Sequence, residues 1–255
     1  MINLESVLQI QTYSGLQQRM IIFIIKELVK RSVTYYIYNG CVYATKGIAD
    51  SYPCVVAHMD TVHRICEDLT VIENEGILTG YNRVTQTQVG IGGDDKVGVY
   101  IALRCLEATE NIKLVFFRDE EIGCLGSSDN DKSFFDDVKF VLQCDRKGNS
   151  GFVTNASGTI LCSDEFMNDV KEIISVYGYS FINGMMTDVM ALRNSGIEIS
   201  MANIECGYYN PHYSNEYVVI SDVENCLNMV QTIINSLNKT YKIRGNLDIA
   251  DNQLA

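Results

Sequence analysis

Three apolar runs in the sequence each lead directly into a charged motif. Residues 53–58, 112–117 and 140–144 are rich in Val, Phe and Leu, and a histidine or acidic side chain ends or follows each run. Between the first two runs, residues 95–108 place apolar side chains at helical spacing. Strands that alternate with helices predict an α/β sandwich, whose ligand sites gather beyond the carboxyl ends of its strands. The sequence therefore predicts a single-domain αβα sandwich with a mostly parallel central sheet and a site along one edge.

Turn and capping patterns predict most of the remaining elements. Asn39-Gly40 and the segment 74–76 are typical of hairpin turns. Ser14 and Ser221 are interpreted as N-caps of the first and last long helices, because Gln or Glu stands three residues after each. The further predicted elements are helices over 164–177 and 188–194 and a strand over 198–204.

Length and hydrophobic content are those of a folded domain. The chain has 255 residues, and 47% of them are hydrophobic, which is enough for a buried core. Periodicity is lost after Lys239. We therefore expect the domain to span residues 1–240 and residues 241–255 to form a poorly ordered tail.

Charge and cysteine content narrow the possible partners and the compartment. The formal net charge is −12, so the chain lacks the positive surface that nucleic acid or anionic lipid requires. The apolar run over 20–25 is too short to span a bilayer. Nine cysteines without a CxxC pair favour a reduced protein over a disulfide framework. We expect a cytoplasmic protein with no nucleic-acid or membrane partner.

Five short motifs carry the candidate site, namely HMDTV (58–62), GGDDKVG (92–98), RDEEIG (118–123), CDRKG (144–148) and NPHYS (210–214). They supply seven candidate side chains: His58, Asp60, Asp94, Glu120, Glu121, Asp145 and His212. Mixed histidine and carboxylate ligation suits zinc, with manganese or cobalt as substitutes. Two such ions about 3.5–4 Å apart can make water nucleophilic enough to attack an unactivated amide. The motifs predict a hydrolytic centre with two divalent metal ions.

The first two motifs also have structural interpretations. His58 and Asp60 point to the same side of an extended segment, so Asp60 can orient the His58 ring, but a structural histidine fits the pair equally well. Asp95 is explained by a helix N-terminus, where acids are favoured. For Asp94 a bridging ligand is favoured, because the two preceding glycines let the backbone approach a site closely.

The acidic loop and the last motif are more specific. Glu120 and Glu121 follow Asp119, and three adjacent negative charges are unfavourable unless cations compensate them. A solvated loop is the alternative. His212 lies in a turn-rich loop with little core to fill, which favours metal ligation. Asp145 alone fits an ordinary turn residue.

Together, HMDTV, GGDDKVG, DEEIG and GYYNPH followed by Glu216 resemble the co-catalytic di-zinc metallopeptidases of the carboxypeptidase and aminoacylase family. The resemblance is greatest to the peptidase T-like branch and extends from Ser14 to about Leu237. It implies an exopeptidase that hydrolyses short peptides, or an amidohydrolase that acts on N-acyl amino acids.

The resemblance also implies a role for each site residue. It implies two ligand pairs around a bridging carboxylate: His58 with Asp145, Glu121 with His212, and Asp94 between them. Glu120 would be the general base, which takes a proton from the attacking water and delivers it to the leaving amine. Asp60 would orient His58, and the peptide bond between Asp94 and Asp95 would be cis.

One departure from the family is large. Its usual members insert a second domain between the counterparts of Asp145 and His212, where it serves dimerisation and covers the substrate. Here that segment must supply core elements, so we expect a catalytic domain without this lid. A monomer and an unfamiliar assembly fit the sequence equally well. The lid's oxyanion histidine is then missing too, and His63 is expected to be a loop side chain.

Four residues are weaker candidates for substrate contact. Tyr208 and Tyr209 can donate a hydrogen bond to the oxyanion, or they can pack beside the metal loop. Arg146 can bind a substrate carboxylate or pair with an acid of the cluster. Asp188 resembles an aspartate that lies near the substrate in members of the family, but it also fits a helix N-terminus. A spare acid such as Glu205 could hold a free α-amino group, which favours aminopeptidase action.

Two hypotheses of different classes remain open at the level of sequence. One is a metal-dependent exopeptidase or amidohydrolase, and the other is a non-catalytic relative that binds peptides. Glu120 beside a complete ligand set favours the enzyme, because a binding module needs no general base. A two-metal phosphodiesterase is disfavoured, since few Lys or Arg residues accompany the motifs to hold phosphate.

Overall fold

A computed structural model describes residues 2–243 of the protein. The helices are α1 (Leu4–Leu8), α2 (Gln18–Lys30), α3 (Gly93–Ala108), α4 (Leu125–Ser128), α5 (Asp164–Val176), α6 (Asp188–Asn194) and α7 (Ile220–Ser236). The strands are β1 (Thr34–Tyr38), β2 (Cys41–Lys46), β3 (Tyr52–His58), β4 (Leu69–Asn74), β5 (Ile77–Asn82), β6 (Thr87–Val89), β7 (Ile112–Phe117), β8 (Val138–Arg146), β9 (Gly151–Ala156), β10 (Thr159–Ile160), β11 (Ser180–Gly184), β12 (Met201–Glu205), β13 (Tyr208–Tyr209) and β14 (Tyr217–Val219).

The parallel strands β7, β3, β8 and β12 form the centre of the larger sheet. The sheet order is β1-β2-β7-β3-β8-β12-β9-β10, with β11 beside β9. Strand β3 pairs in parallel with β7 and β8, and β12 pairs in parallel with β8. Every residue of β3 and β7 is buried, as expected for strands covered on both faces. The predicted α/β fold with a mostly parallel central sheet is confirmed, and the outer pairs β1–β2, β2–β7 and β9–β12 are antiparallel.

A second, smaller sheet brings the last motif to the site. Its order is β13-β14-β5-β4, with β6 beside β5, and all of its pairs are antiparallel. The two predicted hairpins form as β1–β2 and β4–β5. Pairing of β14 with β5 joins segments that are far apart in sequence, and this sheet was not predicted.

Helices cover the larger sheet. Helix α3 packs against β3 and β8, with α7 against α3, while α6 packs against β8 and β12 beside α4. In α2, Met20, Ile24 and Leu28 are fully buried at a spacing of four residues, as an amphipathic helix requires. Within residues 2–243, no helix combines the length and the apolar character that crossing a bilayer demands.

Both predicted serine N-caps are wrong. Helix α2 begins at Gln18, and the hydroxyl of Ser14 instead donates to Asp60. Helix α7 begins at Ile220, so Ser221 lies inside its first turn and makes no cap. Strand β14 runs directly into α7 and leaves no separate capping residue, whereas Ser163 does cap α5 through the N–H of Phe166.

The segment between Asp145 and His212 is built into the main body, as β9 to β12 with α5 and α6. The chain continues to pack beyond the predicted end of the domain. Tyr241 is 1% exposed, and Lys242 forms an isolated bridge with Ile199. The rest of the predicted tail, 244–255, lies outside the described residues.

Candidate metal centre

Adjacent parallel strands bring three of the motifs to one edge of the sheet. His58 is the last residue of β3, Asp145 lies near the end of β8, and the acidic loop follows β7. The Nε2 atom of His58 lies 3.4 Å from Asp145 Oδ1 and 3.1 Å from Asp94 Oδ1. These three side chains form the first of two groups whose donor atoms lie within 4.8 Å of one another.

Asp94, Glu121 and His212 form the second group. The Nε2 atom of His212 lies 3.1 Å from Glu121 Oε2 and 3.4 Å from Asp94 Oδ2. One oxygen of Asp94 therefore faces each group. The structure brings together the five side chains that the sequence singled out as ligands, with Asp94 between the two pairs.

Burial and mutual repulsion shift the titration of these groups. Burial raises the pKa of Glu120 to about 9 and that of Glu121 to about 8. Burial likewise raises the pKa of Asp145 to about 7. Burial lowers the pKa of His58, but the neighbouring carboxylates of Asp145, Asp60 and Asp94 together outweigh burial and hold that pKa well above its ordinary value. Full ionisation of this cluster at neutral pH thus requires additional positive charge.

The residues present fit a pair of divalent cations. Two imidazoles and three carboxylates make up the donor set, which suits zinc-class ions. The Oε1 atom of Glu121 is buried and has no hydrogen-bond partner in the described structure. Buried carboxylate oxygens are normally satisfied, so this atom is available for a cation.

Asp60 holds both the histidine and the acidic loop. Its Oδ1 accepts the N–H of Glu120 at 3.0 Å, and its Oδ2 accepts the N–H of Glu121 at 3.3 Å. The Nδ1 atom of His58 lies 3.1 Å from the backbone oxygen of Asp60 and 3.4 Å from its Oδ1, and the hydroxyl of Ser14 donates to Asp60 Oδ2 at 2.7 Å. Asp60 therefore fixes the position of a ligand and of the Glu120-Glu121 backbone together.

A buried amide network behind Asp145 was missed by sequence reasoning. The side-chain N–H of Gln143 donates to Asp145 Oδ2 at 3.1 Å. The hydroxyl of Thr187 donates to Gln143 Oε1 at 2.8 Å and lies 3.3 Å from Asp145 Oδ2. The amide oxygen of Asn203 accepts the backbone N–H of Asp145 at 3.0 Å. With Oδ2 engaged in this way, Oδ1 is directed to the ligand group. A Gln inside a buried strand, two residues before Asp145, was the available sequence sign.

The first residues of α3 have the geometry that the family resemblance implied. The Asp94–Asp95 peptide is cis. Asp95 points away from the ligand groups: its Oδ2 accepts the N–H of His58 at 3.0 Å, and its Oδ1 accepts the N–H of Gly98 at 3.0 Å.

The four candidate substrate residues are placed differently from one another. The hydroxyl of Tyr208 donates to Asp145 Oδ1 at 3.3 Å, so this side chain borders the ligand group. The hydroxyl of Tyr209 is engaged by Asp222 at 2.6 Å and is not available to an oxyanion. Asp188 is fully buried and accepts from Ser127 and Gln143, so a substrate cannot reach it. For Tyr209 and Asp188 these placements favour the structural alternatives over substrate contact.

Two arginines beside the site, the candidate Arg146 and Arg118 of the RDEEIG motif, are involved in local contacts. The Nε atom of Arg146 lies 3.7 Å from Glu205 Oε1. Glu205 also accepts the N–H of Ser150 and the N–H of Gly151, so it is already satisfied. Arg118 donates to Asp119. The salt-bridge interpretation of these arginines therefore fits better than substrate contact.

Known proteins with a similar fold include several peptidases. No protein-family model and no curated protein matches the chain. Among solved structures, it is similar to the aminopeptidase PepT from Bacillus cereus ATCC 10987, with a TM-score of 0.72 and 12% identity over 91% of this chain and 96% of that chain. A tripeptidase from Staphylococcus aureus subsp. aureus Mu50 has a TM-score of 0.70 and 13% identity over 91% and 95%. An aminopeptidase from the archaeon Desulfurococcus kamchatkensis has a TM-score of 0.71 and 15% identity over 92% and 94%.

At these identities the likeness establishes the fold alone. The narrower peptidase T-like assignment is not distinguished, because the archaeal aminopeptidase is as similar as the tripeptidase. The protein thus has the α/β fold of these aminopeptidases.

Proposed function

We propose that the protein is a metal-dependent exopeptidase, of the aminopeptidase or tripeptidase type, that hydrolyses short peptides. One observation carries the proposal. The two oxygens of Asp94 face two separate ligand groups, and the carboxylate of Glu120 stands beside them. A purely structural cluster has no need for an additional, uncoordinated acid at this point.

Two zinc-class ions would be held by His58 with Asp145 and by Glu121 with His212, and Asp94 would be shared. Manganese or cobalt would suit the same donors. When bound, the ions would polarise the scissile carbonyl and activate water.

Glu120 has the position of a general base. Its Oε2 lies 4.0 Å from His58 Nε2, and its Oε1 accepts the thiol hydrogen of Cys124 at 3.4 Å. Asp60 holds its backbone N–H. Neighbouring positive charge favours the ionised carboxylate, which accepts a proton from the attacking water and passes it to the leaving amine.

The charge of the protein favours a substrate with a free amino terminus. The formal net charge is −12, and carboxylates surround the site, so a cationic α-amino group is attracted to it. An N-acyl amino acid lacks this positive charge. We therefore expect aminopeptidase action to exceed amidohydrolase action on N-acyl substrates.

The test combines metal analysis with a panel of di- and tripeptides, each offered free and N-acetylated. We expect two ions per chain, chelator-sensitive cleavage and preference for the free peptides. Glu120→Gln should retain both ions and lose turnover by about 10²–10⁴-fold. Glu172→Gln, on the exposed side of α5, is the matched control.

Three results would contradict the proposal. They are a wild-type protein that binds no metal, a Glu120→Gln variant with normal turnover, and a metal-loaded protein that binds the peptides without cleaving them. The last result would identify a non-catalytic peptide-binding relative.

A further inference from the structure

A buried carboxylate outside the ligand set contacts the backbone of the bridging residue. Glu216 is 0% exposed. Its Oε2 accepts the N–H of Gly92 at 2.7 Å, and its Oε1 accepts the N–H of Asp94 at 3.2 Å. The same Oε2 accepts a hydrogen bond from Nε2 of His63 at 2.7 Å. Three separate segments of the chain therefore meet at one carboxylate.

The turn at 92–95 needs such an external acceptor. Gly92 has a φ of +69°, and Asp94 and Asp95 have non-helical dihedral angles. The first N–H groups of a helix have no partners within the helix itself. Because Glu216 accepts two N–H groups of this turn, it fixes the path of the backbone on which the Asp94 side chain stands.

His63 is held in place to support Glu216. A Cβ added to Gly90 would lie 2.0 Å from the His63 ring, so the ring packs directly on that glycine. A fully buried carboxylate is destabilising without a close hydrogen-bonded partner. The third histidine of the chain therefore has a defined role, although it contacts neither ligand group.

The position of Glu216 along the chain links it to His212. Both lie in the loop between β13 and β14, four residues apart. The side chain of His212 is 51% exposed, and its φ is +70°. Little packing holds this ligand, so Glu216 is the buried contact that ties its loop to Asp94.

We infer that Glu216, supported by His63, is a positioning residue that sets the geometry between Asp94 and His212. Glu216 thereby determines how tightly the group formed by Asp94, Glu121 and His212 binds its metal ion. The inference rests on the proposed two-metal function. Asp94 also belongs to the group of His58 and Asp145, but strand ends and Gln143 hold those two ligands, whereas His212 shares its loop with Glu216. The first group should therefore depend less on Glu216 than the second.

The test measures binding of each ion rather than turnover. Co²⁺ is titrated into metal-free protein, with visible absorption and calorimetry as readouts. For Glu216→Gln we expect two binding steps, of which one is weakened by about 10–100-fold and the other by much less. Glu27→Gln removes another buried carboxylate, which lies on α2 and pairs with Lys30 and Arg31, and should leave both steps unchanged.

A second pair of variants covers the case in which Glu216→Gln does not fold. His63→Ala removes one support of Glu216 and should weaken the same step, whereas His63→Gln keeps an N–H donor and should restore part of the affinity.

The outcomes separate the two proposals. If wild-type protein binds two ions and the Glu216 and His63 variants bind both as tightly, the inference is wrong while the proposed function stands. Equal weakening of both steps would also overturn it, because that result indicates a general structural role. Absence of ion binding by the wild type would reject the proposed function itself.

Discussion

The two ligand groups share Asp94 but are held by different kinds of structure. His58 is 1% exposed at the end of a fully buried strand, and Asp145 is held by a buried amide network. His212 is half-exposed in a loop, and its position relies on contacts with other segments. The sheet thus positions His58 and Asp145 of the first group, whereas Glu121 and His212 of the second group lie in loops. We expect the two groups to respond differently to mutation, as sites on strands are held more precisely than sites on loops.

The largest effect should come from removing the carboxylate that both groups share. Asp94→Ala should lower the ion content from two per chain to none and abolish peptide cleavage, because each group then keeps only two ligands. Metal analysis after dialysis measures this. Asp50→Ala, at an exposed position, should retain both ions. An Asp94→Ala protein that still holds one tightly bound ion would show that the groups are independent.

The two ligand histidines should differ in their contribution to stability. In chelator, His58→Ala should lose about 3 kcal/mol of unfolding free energy, because it leaves buried carboxylates without their cationic partner. His212→Ala should lose less than about 1 kcal/mol, since that side chain is half-exposed. Each variant should lose one ion. Urea denaturation compares them, and equal destabilisation would remove the contrast between the groups.

A smaller effect is expected from the network behind Asp145. Gln143→Ala removes the amide that engages Asp145 Oδ2, so binding at the His58–Asp145 group should weaken by about 10–100-fold. Binding at the His212 group should change little. Calorimetric titration resolves the two steps, with the exposed Gln88→Ala as control. Weakening of the His212 step instead would reverse the proposed division of roles.

The smallest effect should follow Ser14→Ala. Asp60 loses one hydrogen bond but keeps the N–H groups of Glu120 and Glu121. We expect about 1 kcal/mol of lost stability and a few-fold lower kcat. Thermal unfolding and peptide kinetics measure both quantities, and Ser175→Ala on the exposed side of α5 is the control. A loss of kcat as large as that of Glu120→Gln would mean that Ser14 acts in the chemistry.

Much of the fold could be predicted because its determinants are local. Apolar runs, hairpin turns and helical spacing gave the strands β3 and β7, the hairpins β1–β2 and β4–β5, and the helix α5. The predicted helix starts at Ser14 and Ser221 are wrong because contacts with other parts of the fold decide them. A capping pattern is a weak preference, and the tertiary hydrogen bond from Ser14 to Asp60 and the direct run from β14 into α7 override it.

The seven motif residues could be singled out as candidates because most of them stand just past a strand end or in a loop, and neighbouring parallel strands end at one edge. The distances between these side chains could not be predicted from the sequence. The contacts that hold the site could not be predicted either, because most of them join segments far apart in sequence. They are those of Gln143 with Thr187 and Asp145 and those of Glu216 with His63 and Gly92. Residue type and spacing specify which side chains are suited to hold cations. The packing of the two sheets decides which of these side chains meet and which contacts hold them in place. Hydrogen bonds between distant segments produce no periodic pattern in the sequence, so the sequence alone does not specify them.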